Sequence, residues 1–320
     1  MAYDFAVIVN LRLRSFHIRV GVSALLFAAT VFGSPAFAQS VRSGPIVESP
    51  ARAQVEKLIH DSGAEVAVVF RALDGKQELM IEPDVAFHAA STMKIPVMIE
   101  LFAEAYDGKL HLDDPLPVKN EFHSIVDATV YQLNAADDSD AEIYKSVGGT
   151  LTLLQLCEAM ITRSSNLAAN LLIERLGVAN IQKTIARLHA DGMVFLRGVE
   201  DSKAFQAGKN NMTTARALQI LLDAIATNKA GDAESCRAML EILKRQTFNE
   251  AIPQGLPAGT IVAHKTGEIT GIHHDAAIVM GARPFVLVIL VKGIEDRDKS
   301  SALMASITKA IYAGIESGKS

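Results

Sequence analysis

His88-Ala-Ala-Ser91-Thr-Met-Lys94-Ile-Pro-Val-Met98 sets a serine and a lysine three positions apart at the head of an apolar run. On a helix that spacing puts hydroxyl and amine on one face, a turn from each other. A serine hydroxyl is a weak nucleophile at neutral pH and needs a neighbour that takes its proton. A lysine amine does so once burial or nearby positive charge lowers its pKa. The spacing alone is a weak signal, since S-x-x-K arises about once by chance in a chain of this size. Ser306-Ile307-Thr308-Lys309 is a second copy, on a segment that reads as a helix near the end of the chain.

Two further elements support Ser91. Ser164-Ser165-Asn166 falls where one helical pattern (151–162) ends and another (167–176) begins, so its side chains are free to project into a cleft. Lys265-Thr266-Gly267 continues the apolar run Ile261-Val262-Ala263, which reads as a strand, and the glycine is expected to let a ligand approach the strand edge.

Around these elements the chain reads as strands, then helices, then strands. A helix is expected over 52–60, and a hairpin over 65–81 with Asp74-Gly75 as a tight primed turn. A helix over 92–106 follows, and residues 118–148 read as loop. Helical periods dominate from 151 to 243, strands return at 260–264, 275–280 and 285–291, and a helix closes over 300–315. The order predicts a sheet domain assembled from 39–90 and 255–320 and an all-helical domain from 91–254, with the active site in the cleft between them.

The 320 residues are 49% hydrophobic, which suits a large core and excludes disordered or collagen-like classes. Arg12, Arg14 and Arg19 precede the apolar run 20–32 and then Ala36-Phe37-Ala38, the pattern of a secretory signal (1–38) cleaved after Ala38. The run is short for a membrane anchor and no cysteine follows it to carry a lipid, so a periplasmic or extracellular location is expected. Loss of 1–38 removes three arginines and one aspartate, which takes the formal charge from −5 to −7. A nucleic-acid partner is not expected of so acidic a chain. Cys157 and Cys236 are the only cysteines. They read as two buried thiols, with a disulfide as the alternative.

In the order S-x-x-K, S-x-N, K-T-G, the chain resembles the class A β-lactamases and their relatives among the penicillin-binding proteins. The resemblance runs over nearly the whole mature chain, including Met160-Ile161-Thr162 to Leu172 and Val262 to Gly267. It implies an α+β fold, a three-layer α/β/α sandwich with an antiparallel sheet, beside an all-helical domain. It implies Ser91 as the acylated nucleophile, Lys94 as its proton acceptor and Ser164 as a proton relay to the leaving nitrogen. Asn166 would bond the substrate amide and Lys265 and Thr266 its carboxylate. The backbone N–H groups of Ser91 and Glu268, the latter next to Gly267, would form the oxyanion hole. The substrate class is a small β-lactam or a peptidoglycan-like peptide, the protein is expected to be a monomer, and no metal or organic cofactor is implied.

The chain also departs from that family. The deacylating glutamate is expected at Glu200, in Arg197-Gly198-Val199-Glu200-Asp201, but Ala204 stands where relatives have an asparagine that holds the water. Asn210 or Asn211 is a candidate substitute, and the alternative for Glu200 is a surface carboxylate paired with Arg197 or Lys203. Ser165 replaces the usual aspartate, which suggests a neutral network in place of a charged one. Met98 replaces the cysteine that pairs, in many relatives, with the position of Cys157. The segment between Ser91 and Ser164 is longer by roughly a dozen residues, and its acidic stretch Asp137-Asp138-Ser139-Asp140 reads as a solvated loop that lines the cleft, since the spacing of a calcium loop is missing.

Rival classes are poorer fits. His264 and His273-His274-Asp275 suggest zinc, but adjacent strand residues point to opposite faces and no zinc motif is present. An α/β-hydrolase lacks its G-x-S-x-G elbow. A D-alanyl-D-alanine carboxypeptidase, a small-ester hydrolase and a non-enzymatic sensor or binding module share the fold and remain alternatives.

Overall fold

Residues 50–317 are described by the structure, a computed structural model. The expected signal segment lies outside the described residues. The helix α1 (Pro50–Ser62) leads into β1 (Glu65–Ala72) and β2 (Glu78–Ile81), and β3 (Val262–Ile269), β4 (Ile272–Val279) and β5 (Phe285–Lys292) precede the last helix, Arg297–Ser317. All five strands form one antiparallel sheet in the order β2-β1-β5-β4-β3. The pairing of β1 with β5, Glu65 opposite Lys292 through Ala72 opposite Phe285, joins distant parts of the sequence at the middle of the sheet.

Side chains alternate across that sheet with the period of two that strand geometry imposes. Val66, Val68, Phe70, Leu287, Ile289 and Val291 point to one face, where Val55 of α1 and Met304, Ile307 and Ile311 of the last helix cover them. Ala67, Val69, Val286, Val288 and Leu290 point to the other, against the helices that follow β2. Both faces are therefore dry, which explains why β5 is a continuous apolar run instead of an alternating one. The result is the expected sandwich of helix, sheet and helix.

The helical region begins with a 3₁₀ turn, Ala90–Met93, that runs directly into α2 (Lys94–Tyr106). Then come α3 (Leu153–Thr162), α4 (Asn166–Leu176), α5 (Val178–Arg187), α6 (Ser202–Gln206), α7 (Ala215–Ala226) and α8 (Ala233–Leu243). Every residue of α2 from Lys94 to Phe102 is buried, and apart from Lys94 and Glu100 the stretch is apolar all round, as a helix packed on all sides must be. The α3 pattern starts two residues later than its apolar period suggests, because Thr152 and Gln155 form a capping box: the Thr152 hydroxyl accepts from Gln155 N–H at 3.1 Å, and the Gln155 side chain accepts from Thr152 N–H at 2.8 Å.

Two expectations are corrected. The β1–β2 hairpin is present, but a longer loop, 73–77, replaces the two-residue turn. Only Gly75 takes a positive φ, +70°, while the Asp74 carboxylate accepts from Lys76 N–H at 3.0 Å. An Asx turn thus competes with the primed turn and wins. The acidic loop is not wholly solvated either. Asp137, Ser139 and Glu142 are exposed, but Asp138 and Asp140 are only 7% and 4% exposed, and donors at Arg163, Asn166 and Leu167, which sequence does not place beside them, join the local ones. Cys157 and Cys236 are free, buried thiols. Among the described residues no helix is long and apolar enough to cross a membrane.

Gly255, at the end of the 3₁₀ turn Ile252–Gly255, lies against the last helix, where an added Cβ would come within 2.5 Å of Thr308 Cβ and crowd the Ala305 carbonyl. Gly255→Ala is expected to cost about 2 kcal/mol of stability by overpacking. The check is a lower urea midpoint at unchanged slope.

Candidate active site

Ser91 lies on the 3₁₀ turn and Lys94 opens α2, so the pair straddles a junction instead of sharing one α-helix as their spacing suggested. The tighter turn serves the pairing better, since residues i and i+3 eclipse in a 3₁₀ helix. Ala90 enters the turn with φ +45°, a left-handed conformation rare for a residue with a Cβ. Lys94 Nζ lies 3.0 Å from Ser91 Oγ and 3.3 Å from Ser164 Oγ, and it donates to the Ser164 carbonyl at 2.6 Å and to Asn166 Oδ1 at 2.8 Å. A neutral amine has two N–H bonds and one lone pair. The Ser164 carbonyl and Asn166 Oδ1 can only accept, so they take the two N–H bonds and turn the lone pair toward a hydroxyl proton.

Lys94 is fully buried, and burial pushes its amine down to about 7, against the opposing charges of Asp138 and Glu200. Lys265, equally buried on β3, lies well below its ordinary range through burial and the nearby Lys94. Its Nζ donates to Ser164 Oγ at 2.9 Å and to the Thr266 carbonyl at 2.7 Å. Ser164 Oγ therefore bridges the two amines. Its backbone reaches that place with φ +59°, in the turn between α3 and α4 that Ser165 N–H closes on the Ala159 carbonyl at 3.1 Å.

Gly267 has a packing role besides the expected one. An added Cβ would lie 3.1 Å from Ser91 N and 3.0 Å from Thr92 N, so the absent side chain lets β3 press against the 3₁₀ turn that carries Ser91. Thr266 is buried beside it, and the exposed Glu268 turns its carboxylate to Arg297 Nε at 3.0 Å.

Glu200 is exposed, with φ +62°, and Asn166 Nδ2 donates to its Oε1 at 3.1 Å. Asn166 thus spans Lys94 and Glu200 with one amide. The expected alternative pairings of Glu200 are not made. Arg197 donates to the Lys209 and Gly198 carbonyls and to Asn210 Oδ1, and Lys203 pairs with the Asp127 carboxylate at 2.7 Å. Asn210 Oδ1 accepts from Arg197 at 2.9 Å, and the Asn211 side chain bonds the backbone of Leu196 and Arg197. Ala204 is buried in α6.

The loop carrying Glu200 is fixed by residues that the motifs did not reveal. Asn170 donates to the Val199 carbonyl at 3.0 Å and accepts from Val199 N–H at 2.7 Å, and Tyr131 hydroxyl donates to the same carbonyl at 3.1 Å. Asp201 accepts from Ser124 Oγ, Ile125 N–H and Ala204 N–H at 2.9 to 3.0 Å. Asn170 was detectable, because it stands four residues after Asn166 on the same face of α4. Asp138 and Asp201 each have near partners, but the donors that tie them to the site, Asn166 and Leu167 for Asp138 and Ser124 and Ile125 for Asp201, are remote in sequence. The neutral network expected from Ser165 is also corrected: Ser165 caps Ala168 N–H at 3.2 Å, while Asp138 supplies a carboxylate to the same helix end.

The other singled-out groups serve structure. Ser306 donates back to the Ala302 carbonyl at 2.8 Å. His264 meets Asp275 Oδ1 at 2.9 Å, His273 meets Ser300 Oγ at 2.7 Å, and His274 meets the His88 carbonyl at 3.0 Å. Ser91, Ser164, Asn166, Glu200 and Glu268 line one cleft of about 530 Å³, with Asp137 and Ser139 of the acidic loop on its wall.

Comparison with known proteins agrees with this geometry. The model of the beta-lactamase enzyme family matches residues 50–315. A beta-lactamase of Bacillus licheniformis is 32% identical over 182 residues, 53% of this chain and 58% of that protein. Beta-lactamase CTX-M-97 of Escherichia coli is 28% identical over 82% of this chain and 88% of its own. Among solved structures, PBP-A superposes with TM-score 0.73 at 24% identity, covering 86% of this chain and 98% of that one. A mutant of PBP-A has been solved as an acyl-enzyme complex with penicillin G.

With the Lys94 amine near 7, the fraction able to take the Ser91 proton rises as pH climbs to about 7 and then saturates. Modification of Ser91 by a fluorophosphonate is expected to speed up about tenfold per pH unit below that point and level off above it. Lys94→Met should flatten the profile. Gly267→Ala should slow the same reaction at every pH, by about tenfold or more, through displacement of β3 from Ser91.

Proposed function

The chain belongs to the beta-lactamase enzyme family, as a serine hydrolase of the class A type, and we propose that it opens β-lactam rings through an acyl-enzyme on Ser91. The observation that carries the proposal is the buried Lys94 amine, pushed down to about 7 and 3.0 Å from Ser91 Oγ. Such an amine is a competent base at neutral pH, where an ordinary lysine is protonated.

Ser91 Oγ attacks the lactam carbonyl carbon as its proton passes to Lys94. Negative charge gathers on the carbonyl oxygen, opposite the backbone N–H groups of Ser91 and Glu268. The carbon–nitrogen bond then breaks, and the leaving nitrogen takes a proton through Ser164 Oγ, which touches both lysine amines. The substrate carboxylate is matched to Lys265 and Thr266, and its side-chain amide to Asn166. For deacylation, water attacks the ester carbon as its proton passes to Glu200, the carbon–Oγ bond breaks and Ser91 regains its proton. The hydrogen bond from Asn166 to Glu200 supports that role, because one amide then links the acylating and deacylating groups.

A second reading has its own support. Ala204 removes one holder of the hydrolytic water, and PBP-A is a structural relative. On that reading the chain acylates like a penicillin-binding protein of D-alanyl-D-alanine carboxypeptidase type and releases the drug slowly. The arginines and apolar run before Ala38 support export to the periplasm or beyond for either reading.

Intact-mass measurement over time after mixing with a penicillin distinguishes them. A transient adduct with accumulation of hydrolysed drug is the expected result, and a persistent adduct selects the second reading. Ser91→Ala should give no adduct. Glu200→Gln should form it at a normal rate and lengthen its lifetime by about a hundredfold or more.

A further inference from the structure

Asp138 lies in the acidic loop between Ser91 and Ser164, yet its side chain is built into the site. Its Oδ2 accepts from Asn166 N–H and Leu167 N–H, both at 2.9 Å, and from the Tyr144 hydroxyl at 3.1 Å. Its Oδ1 accepts from Asp140 N–H at 3.0 Å, and Asp140 in turn accepts from Arg163 Nε at 2.8 Å. Asn166 and Leu167 are the first two residues of α4, whose opening N–H groups have no partner inside the helix and whose end carries partial positive charge. No acidic residue stands in the first turn of α4, and its N-cap, Ser165, is neutral. The carboxylate at that helix end comes from the loop.

The consequence reaches the chemistry through one residue. Asn166 is fixed at its backbone by Asp138 while its side chain bonds Lys94 and Glu200. Resting on the acyl-enzyme reading of Ser91, we propose that Asp138 is a positioning residue for acylation. It locks the start of α4 so that Ser164 and Asn166 meet the Lys94 amine, and it supplies buried negative charge beside that amine.

The charged groups around Lys94 come from three directions: Asp138 from the loop, Glu200 from the segment before α6, and Lys265 from β3. The first two favour the protonated amine, Asp138 more strongly than Glu200, and Lys265 opposes it. Tyr144, bonded to Asp138, is held above its ordinary range by burial and by that carboxylate, so it stays a neutral donor. Loss of the Asp138 charge leaves burial less opposed, and Lys94 must then titrate lower.

The test compares the unaltered enzyme with Asp138→Asn. Lys94 is titrated directly by NMR of ¹³C-labelled lysine, assigned with Lys94→Met, and penicillin acylation is followed by stopped flow across pH. For Asp138→Asn the Lys94 midpoint should fall by about one unit and the acidic limb of acylation should move with it. The plateau acylation rate should drop about tenfold or more as Asn166 and Ser164 lose alignment. Asp138→Asn combined with Ser165→Asp returns a carboxylate to the helix end and should restore the midpoint. A folded Asp138→Asn with unchanged midpoint, limb and plateau, losing only thermal stability, would overturn the proposal. Should Asp138→Asn not fold alone, the double variant decides: a midpoint like that of the unaltered enzyme supports the proposal, and one a unit lower refutes it. Failure of penicillin to acylate the unaltered enzyme would instead sink the reading of Ser91, while the NMR titration still judges Asp138.

Discussion

Lys94 reaches no solvent, so its amine must find every hydrogen-bond partner inside the protein. A buried, unpartnered ammonium would be prohibitively costly, and a buried amine surrounded by acceptors that are not charged titrates near neutrality instead. The site meets that condition with a hydroxyl, a backbone carbonyl and an amide oxygen drawn from two separate segments. Much of the surrounding architecture can be understood as the means of holding those segments in place. The capped start of α4, the close approach of β3 and the packing of α2 on all sides each fix one partner of this amine.

Backbone strain gathers where that arrangement demands it. Ala90, Ser164 and Glu200 all adopt left-handed φ values although none is glycine. Ala90 precedes Ser91, Ser164 bridges the two lysines, and Glu200 carries the carboxylate that Asn166 bonds. Such conformations cost of order 1–3 kcal/mol each and persist only where neighbours over-determine them. Here the neighbours are visible: the Asn211 carbonyl takes Ala89 N–H beside Ala90, the Ala159 carbonyl closes the turn at Ser164, and Asn170 and Asp201 bracket Glu200. The strained positions and the buried polar network therefore form one design, in which hydrogen bonds hold a geometry that local preference would not choose.

Much of the fold was legible in the sequence. Apolar runs located β3, β4 and β5, and helical periods located α2, α3 and α4 to within a few residues. Errors occurred where a side chain redirected the backbone. Asp74 bonded Lys76 N–H and lengthened a hairpin loop, and Thr152 with Gln155 delayed the start of α3. At the site, Ser91, Lys94, Ser164, Asn166 and Lys265 were legible because their spacing is short and their residue types are chemically demanding. The burial of Asp138 was not legible, because two of its four donors, the N–H groups of Asn166 and Leu167, lie 28 and 29 residues further on.

By itself the sequence determined the alternation of buried faces, the order of strands and helices, and which hydroxyls and amines were available for chemistry. These are local properties, written in period and spacing. Only the tertiary structure decided what surrounds each amine, which carboxylate completes the end of α4, and whether Glu200 reaches Asn166 or a surface cation. Charge state and hydrogen bonding depend on distances of about 3 Å between groups remote in the chain. Such distances exist only after the sheet and helices have packed.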